Sequence, residues 1–293
     1  MMKPKMFNMF RKVIQAVWAL ITNAHLSGFI NGKIYTGKLK KICVPGMNCY
    51  ACPGALGACP IGSMQAVWSA RRPKFAFYVI GYLTLIGMLV GRFICGWLCI
   101  FGLVQELLYM IPTPKLTVPK KPDKALRYAK YVFLGVFVVL LPVILRNELG
   151  VSLPYFCKWV CPVGMLEGGI PLVLLDEGIR AAAHYLYAWK LGILIFIVLL
   201  SIFINRPFCK YICPLGAFYS LFQKVSFLKL ECDSGKCVKC GKCAVICKMQ
   251  VDPVNNPNSL ECIRCGECVH NCPNRALHFS FAGKTRSKQG YNH

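Results

Sequence analysis

The sequence predicts a mainly α-helical, polytopic membrane protein of about four transmembrane helices with a two-fold internal repeat, followed by a small C-terminal α+β domain. Three observations lead there. Hydrophobic residues make up 56% of the 293 and charged residues 16%, with a mean hydropathy of +0.50, unlike an average soluble domain. Apolar runs near the length of a bilayer recur along the chain. Nineteen cysteines fall mostly two and three residues apart, which in a long apolar chain marks metal ligation rather than a disulfide scaffold.

The first candidate span, "VIQAVWALITNAHLSGFI" (13–30), follows a basic tail, residues 1–12, with Lys3, Lys5, Arg11 and Lys12. No small-x-small cleavage site follows, so it reads as an uncleaved helix. "FAFYVIGYLTLIGMLVGRFI" (75–94) and "YAKYVFLGVFVVLLPVIL" (128–145) come next. The fourth covers 185–204, centred on "LGILIFIVLLSIFI". The last three approach the roughly 20 residues a crossing needs, with Arg92, Lys130 and Lys190 near ends where they can snorkel. Pro142 is tolerable because neighbouring groups can re-satisfy the freed carbonyl. "GMLEGGIPLVLLDEG" (164–178), broken by Pro171, reads as re-entrant or interfacial.

With a basic N-terminus inside, residues 31–74 and 146–188 lie outside, and 95–127 and 205–293 inside. Thirteen lysines and arginines in the last segment, and three against four acids in 146–188, fit that arrangement. Seven in 31–74 with no acid oppose it. The expected location is the cytoplasmic membrane, multi-pass, with both termini cytoplasmic. The net charge of +24 suggests nucleic acid or anionic lipid. Nucleic acid is set aside because no basic, aromatic-interleaved soluble module is present.

The C-terminal cysteines carry the most specific signal. "CVKCGKCAVIC" (237–247) and "CIRCGECVHNCP" (262–273) both have the spacing C-x2-C-x2-C-x3-C. Three closely spaced thiolates reach three irons of one cubane if the backbone winds around it, which Gly241 and Gly266 ease. The fourth cysteine completes the other cluster. Cys237, Cys240, Cys243 and Cys272 therefore make one 4Fe–4S site, and Cys262, Cys265, Cys268 and Cys247 the other. Structural zinc rarely shows this doubled spacing. The pattern resembles a bacterial two-cluster ferredoxin over 231–282, with a basic tail at 283–293. Lys248 stands where a proline often follows the first run, and Cys232 lies outside both.

Three further pairs share C-x3-C: "CGWLC" (95–99), "CKWVC" (157–161) and "CKYIC" (209–213). The text after the second cysteine recurs as "CIFG" at 99, "CPVG" at 161, "CPLG" at 213 and "CPIG" at 59. This internal repeat divides the membrane domain, 13–230, into halves 13–102 and 128–216. Sidedness pairs Cys95 and Cys99 with Cys209 and Cys213 as an inner membrane-edge cluster. On the outer side Cys157 and Cys161 meet "CVPGMNCYACPGALGAC" (43–59). The expected outer set is Cys52, Cys59, Cys157 and Cys161, with Cys43 and Cys49 as further candidate ligands. The competing arrangement keeps Cys43, Cys49, Cys52 and Cys59 as one self-contained cluster. Four clusters with four thiolates each, at about −2 apiece, would bring the net charge to roughly +16.

C-x3-C-P at membrane ends joined to a two-cluster ferredoxin resembles the NapH/NosR-type membrane iron–sulfur proteins, over roughly residues 75–275. The resemblance implies four or more spans and electron passage between the quinone pool or a flavoprotein and a partner on the far side. Ile100 replaces the proline of the first motif, and Cys157, Cys161 and the 43–59 block are additions to the family pattern.

The expected function is a membrane-bound electron-transfer subunit, relaying electrons between the cytoplasmic ferredoxin domain and a centre at the opposite face for a partner oxidoreductase in anaerobic respiration. The alternatives are a quinol dehydrogenase acting at one face and a maturation protein reducing metals or thiols. Quinol chemistry needs proton acceptors beside a cluster. Glu106, seven residues after Cys99, and Glu167, six after Cys161, are the candidates. His25 is a candidate proton relay or haem ligand. No G-x-G-x-x-G occurs, so flavin, if used, belongs to a partner. The expected partners are the bilayer, redox proteins on one or both sides, and quinone.

Overall fold

The computed structural model describes residues 4–69, 76–148 and 152–281; the basic tail expected at 283–293 lies outside the described residues. Two helices, Lys121–Ile144 and Tyr185–Phe203, are long and apolar enough to cross a membrane, about 36 and 28 Å at 1.5 Å per residue. Both present exposed apolar faces, Val132, Val139 and Val143 on one and Ile195, Phe196 and Leu199 on the other. Within the first helix, the stretch Phe133–Leu140 has π-helical turns just before Pro142, whose missing N–H interrupts the regular ladder.

The other two expected spans differ from their sequence reading. The helix Ala76–Val90, about 22 Å long, stops at Gly91 in the left-handed region (φ 54°), and the short helix Phe93–Trp97 follows. Arg92 does not snorkel. It is fully buried, 2.9 Å from Glu261, and Lys130 is buried against the same carboxylate. At the N-terminus, residues from Pro4 are helical rather than a tail, and that helix ends at Thr22, so 13–30 is not one span. One face exposes Met9, Phe10, Val13, Val17 and Leu20, and the other buries Arg11 and Gln15. Arg11 pairs with Glu106 at 2.5 Å and donates to the Gly96 carbonyl at 2.7 Å. Hydropathy averages over the break between Thr22 and Ser27, which is why the segment read as one crossing.

The C-terminal module pairs Leu228–Cys232 (β1) with Leu277–Phe281 (β2), antiparallel, from Leu228↔Phe281 to Cys232↔Leu277. It is packed on the helices. Trp97 Nε1 donates to the Arg264 carbonyl at 3.1 Å, and Arg264 reaches back to the Val90 carbonyl at 2.8 Å. Phe7 stacks on His270 with centroids 3.6 Å apart.

The 43–59 loop is closed by Val44 N–H to the Ala58 carbonyl (3.0 Å) and Ala58 N–H to the Ile42 carbonyl (2.9 Å). Its Gly46 lies against Cys99: a Cβ there would be 3.4 Å from the Cys99 Cα. Tyr219 donates to the Pro45 carbonyl at 2.9 Å. No hydrocarbon layer of roughly 30 Å separates this loop from 95–99, contrary to the expected placement on opposite faces. The two membrane-edge sites are instead offset along Tyr185–Phe203. Lys190 stands beside Gly164 near one end of that helix, while Phe203 at its other end leads into Arg206.

Candidate metal centres

Cys237, Cys240, Cys243 and Cys272 line one cavity of the C-terminal module, and Cys247, Cys262, Cys265 and Cys268 line a second. The backbone winds as the spacing requires: Lys239 and Gly241 (φ 51° and 72°), and Arg264 and Gly266 (φ 50° and 81°), occupy the left-handed region at matching positions. Glycine takes up that conformation without the Cβ penalty. N–H groups of Ala276 and Val251 point at the Cys272 and Cys247 sulfurs, at 3.3 and 3.4 Å. Cys232 sits on β1 beside Cys237 and does not line the cavity.

Cys95, Cys99, Cys209 and Cys213 are all buried and come together between the two halves. Burial and the nearness of Cys209 and Cys95 push the Cys99 thiol up to about 12. Cys213 caps the helix Pro214–Leu221, its sulfur accepting from Gly216 N–H at 3.4 Å. The first-half counterpart is Cys99, at the N-cap position of Ile100–Leu108 but without the side-chain cap bond that Cys213 and Cys161 make, the two motifs that keep the proline.

The remaining site departs from expectation. A cavity of about 200 Å³ is lined by Cys49, Cys59, Cys157 and Cys161, with Tyr50, Lys158 and Lys190 at its rim, and Cys52 is not among its walls. A Cβ on Gly164 would be 3.6 Å from the Cys49 sulfur and 3.9 Å from that of Cys161. Cys49 is held there because Glu167 accepts its backbone N–H at 2.6 Å. The self-contained set is not what the geometry favours either, since Cys43 bonds to Ser63. His25 is turned to the Pro53 carbonyl, 3.1 Å away, and Ser27.

Two residues that sequence reasoning passed over tie the sites together. Gln65 donates to the Cys157 sulfur at 3.2 Å and accepts from Phe156 N–H at 2.9 Å. Gln105 donates to the Cys209 sulfur at 3.2 Å and accepts from Phe208 N–H at 3.1 Å. Each lies six residues after the second cysteine of its motif, Cys59 or Cys99, and each grips the Phe-Cys of a motif in the other half. That shared offset was the available signal. The two sites are thus copies of one construction, a helix-capping cysteine from one half and a C-x3-C pair from the other.

The two candidate proton acceptors part company. Burial alone would raise the Glu106 carboxyl, but Arg206, Lys248 and Arg11 hold it at about 2. It is an ion-pair anchor, 2.8 Å from Arg206, and is no base near neutrality. Burial pushes Glu167 to about 7.

The donor set suits an iron–sulfur cubane. Burial pushes the Cys157 thiol to about 12, so it would stay protonated without a metal, and coordination removes the proton outright. N–H groups aimed at the sulfurs are the outer contacts that steady and tune bound thiolates. Among the described residues no group of three or more histidine, cysteine, aspartate or glutamate side chains converges on a single ion; the thiols surround cavities instead.

The 4Fe–4S binding domain pattern of one family matches residues 57–78, 79–119, 149–170 and 187–230, and a second 4Fe–4S binding domain matches 257–278. The protein MJ0750 of Methanocaldococcus jannaschii is 38% identical over 211 residues, covering 71% of this chain and 79% of its own. The chain belongs to this 4Fe–4S family. The chain is also similar to the protein YccM of Escherichia coli, named a putative electron transport protein, 25% identical over 240 residues (78% of this chain, 61% of that one). Regulatory protein NosR of Stutzerimonas stutzeri is 27% identical over 192 residues, 62% of this chain but 24% of its own. No solved structure matches. As a 4Fe–4S family member, the chain is an iron–sulfur electron-transfer protein, and its internal repeat is what the four matched segments trace.

Proposed function

We propose that this 4Fe–4S protein is a membrane-bound relay that passes single electrons along four stations in a row. The first is Cys237, Cys240, Cys243 and Cys272, the second Cys247, Cys262, Cys265 and Cys268. The third is Cys95, Cys99, Cys209 and Cys213, and the fourth Cys49, Cys59, Cys157 and Cys161. When bound, the clusters supply the one-electron chemistry. The observation that carries this reading is the contact of Gly96 with the Ile263 carbonyl and Cys265 on one side, and of Cys99 with Gly46 on the other. Those contacts pack the second station's cysteine loop and the 43–59 loop against the third station's first motif.

The chain's own residues hold and insulate this row. Arg11, Glu106, Arg206, Lys248 and Glu267 form one buried ionic cluster between the second and third stations. It fixes the module on the helices. At the far end of the row Cys240 is exposed, with exposed Lys236, Lys239 and Lys242 around it, a surface suited to a soluble redox partner carrying acidic groups. The fourth station lies toward the Lys190 end of Tyr185–Phe203 and the third toward its Phe203 end, so the relay links the ferredoxin side to a centre deeper in the membrane.

Iron and sulfide quantification on the intact protein tests this. The relay expects about sixteen irons per chain, four for each cubane, falling to about twelve in Cys99→Ser. About eight irons in the intact protein would leave the ferredoxin pair alone and end the reading. Quinol dehydrogenation is the second reading, favoured only by Glu167 near neutrality beside Cys49; oxidation of a soluble quinol analogue by the isolated protein would support it.

A further inference from the structure

Arg92 and Arg206 stand three residues before Cys95 and Cys209, and each crosses to the opposite pair. Arg92 donates to the Cys209 carbonyl at 3.2 Å, and Arg206 donates to the Cys95 carbonyl at 2.5 Å. Each guanidinium also fills the space in front of the opposite C-x-x-G glycine. A Cβ on Gly216 would be 3.3 Å from an Arg92 nitrogen, and one on Gly102 would be 2.9 Å from an Arg206 nitrogen. Both arginines are fully buried, and each has one glutamate, Glu261 or Glu106, that is shared with a lysine, Lys130 or Lys248. The third station therefore sits between two permanent charges in a two-fold exchange.

The fourth station has the same frame without the arginines. Pro154 occupies the position three residues before Cys157. At the corresponding glycines the neighbours are the Tyr50 ring at Gly62 and the half-buried Lys190 at Gly164. A carboxylate, Glu167, is buried against Cys49.

We infer that Arg92 and Arg206 set the reduction potential of the Cys95/Cys99/Cys209/Cys213 station above that of the Cys49/Cys59/Cys157/Cys161 station, so that the electron moves downhill from the fourth station to the third. The inference rests on the relay reading above. The physical reason is that a cluster gains one negative charge on reduction, and buried fixed cations favour that state far more than screened ones do. One electron leaves the fourth station and one enters the third, with no bond made or broken and no proton moved. The arginines act through the cysteine backbone and the field, so they are positioning residues.

The test is an EPR-monitored redox titration of the whole protein, with iron content measured on every sample. Arg206→Gln and Arg92→Gln should each lower the third station's reduction equilibrium at least tenfold, 59 mV for a one-electron couple. Glu106→Gln, which leaves both arginines but removes a balancing charge, should move it in the opposite direction. Arg92→Lys should stay near the wild type. Should a glutamine variant lose iron, the Glu106→Gln and Arg92→Lys titrations, which keep both cations, decide the sign. Unshifted midpoints in iron-replete glutamine variants would overturn the inference, as would a Glu106→Gln shift in the same direction as Arg206→Gln. A wild-type midpoint at the fourth station above that at the third would also overturn it. Failure of the relay itself looks different: Cys99→Ser would then lose no iron.

Discussion

Gly96 and Ile263 meet backbone to backbone: a Cβ on Gly96 would lie 2.4 Å from the Ile263 carbonyl oxygen. Only glycine allows the cysteine loop of the C-terminal module to rest on the first C-x3-C motif. Gly96→Ala should push the module off its seat at a cost of about 1–3 kcal/mol, the usual range for overpacking. Thermal unfolding followed by module-specific EPR signals should show a lower midpoint and slower electron transfer between the module and the helical part, with iron content kept.

The paired glutamines make a comparison possible. Gln65→Ala should perturb only the fourth station and Gln105→Ala only the third, because each grips a different Phe-Cys pair. Losing the partner of a buried backbone N–H should cost about 1–3 kcal/mol in each case. Separate EPR signatures that both change in both variants would contradict the assignment.

Cys49 and Cys52 lie three residues apart, yet only Cys49 lines the cavity. Cys49→Ser should remove about four irons per chain, while Cys52→Ser and Cys43→Ser should leave the iron content unchanged. The reverse pattern would restore Cys52 as the ligand.

Acid should loosen the module through Glu106. Its carboxyl is held at about 2 in the folded chain, against 4.5 unpaired. A depressed carboxylate contributes stability that is fully present above the unpaired value and is lost as pH falls from about 4.5 toward 2. Glu106→Gln should unfold more readily at neutral pH, by about 3–5 kcal/mol for a broken buried pair, and should lose this part of the acid dependence. Denaturant titrations at several pH values measure both.

The exposed lysines around Cys240 give a fifth test. Lys239→Glu with Lys242→Glu should slow electron exchange with an acidic ferredoxin-type carrier and flatten its salt dependence, leaving iron content intact. Stopped-flow rates at rising ionic strength measure this.

Much of the site could be read from the chain because cluster ligation depends on local spacing. Both C-terminal runs place their cysteines around the cavities that the cross-over between them anticipates. The repeat of C-x-x-G foretold that two halves would share sites. What hid was set by long-range partners. Arg11 read as part of a basic tail because its acceptors, Glu106 and Glu267, are 95 and 256 residues away. Cys49 could not be told from Cys52 because Glu167, which fixes it, comes 118 residues later. The short helix Ala76–Val90 scored as a span because hydropathy has no view of Arg92 turning inward at Gly91.

The N-terminal helix also bears on the order of assembly. It touches the module through Phe7 at Gly266, the third station through Arg11 and Gln15, and the 43–59 loop through the Thr22 carbonyl. The helix therefore finds its seat only when the module far along the chain is in place as well, a connection of high contact order that closes slowly. Until then the cysteines of the third station have one wall missing.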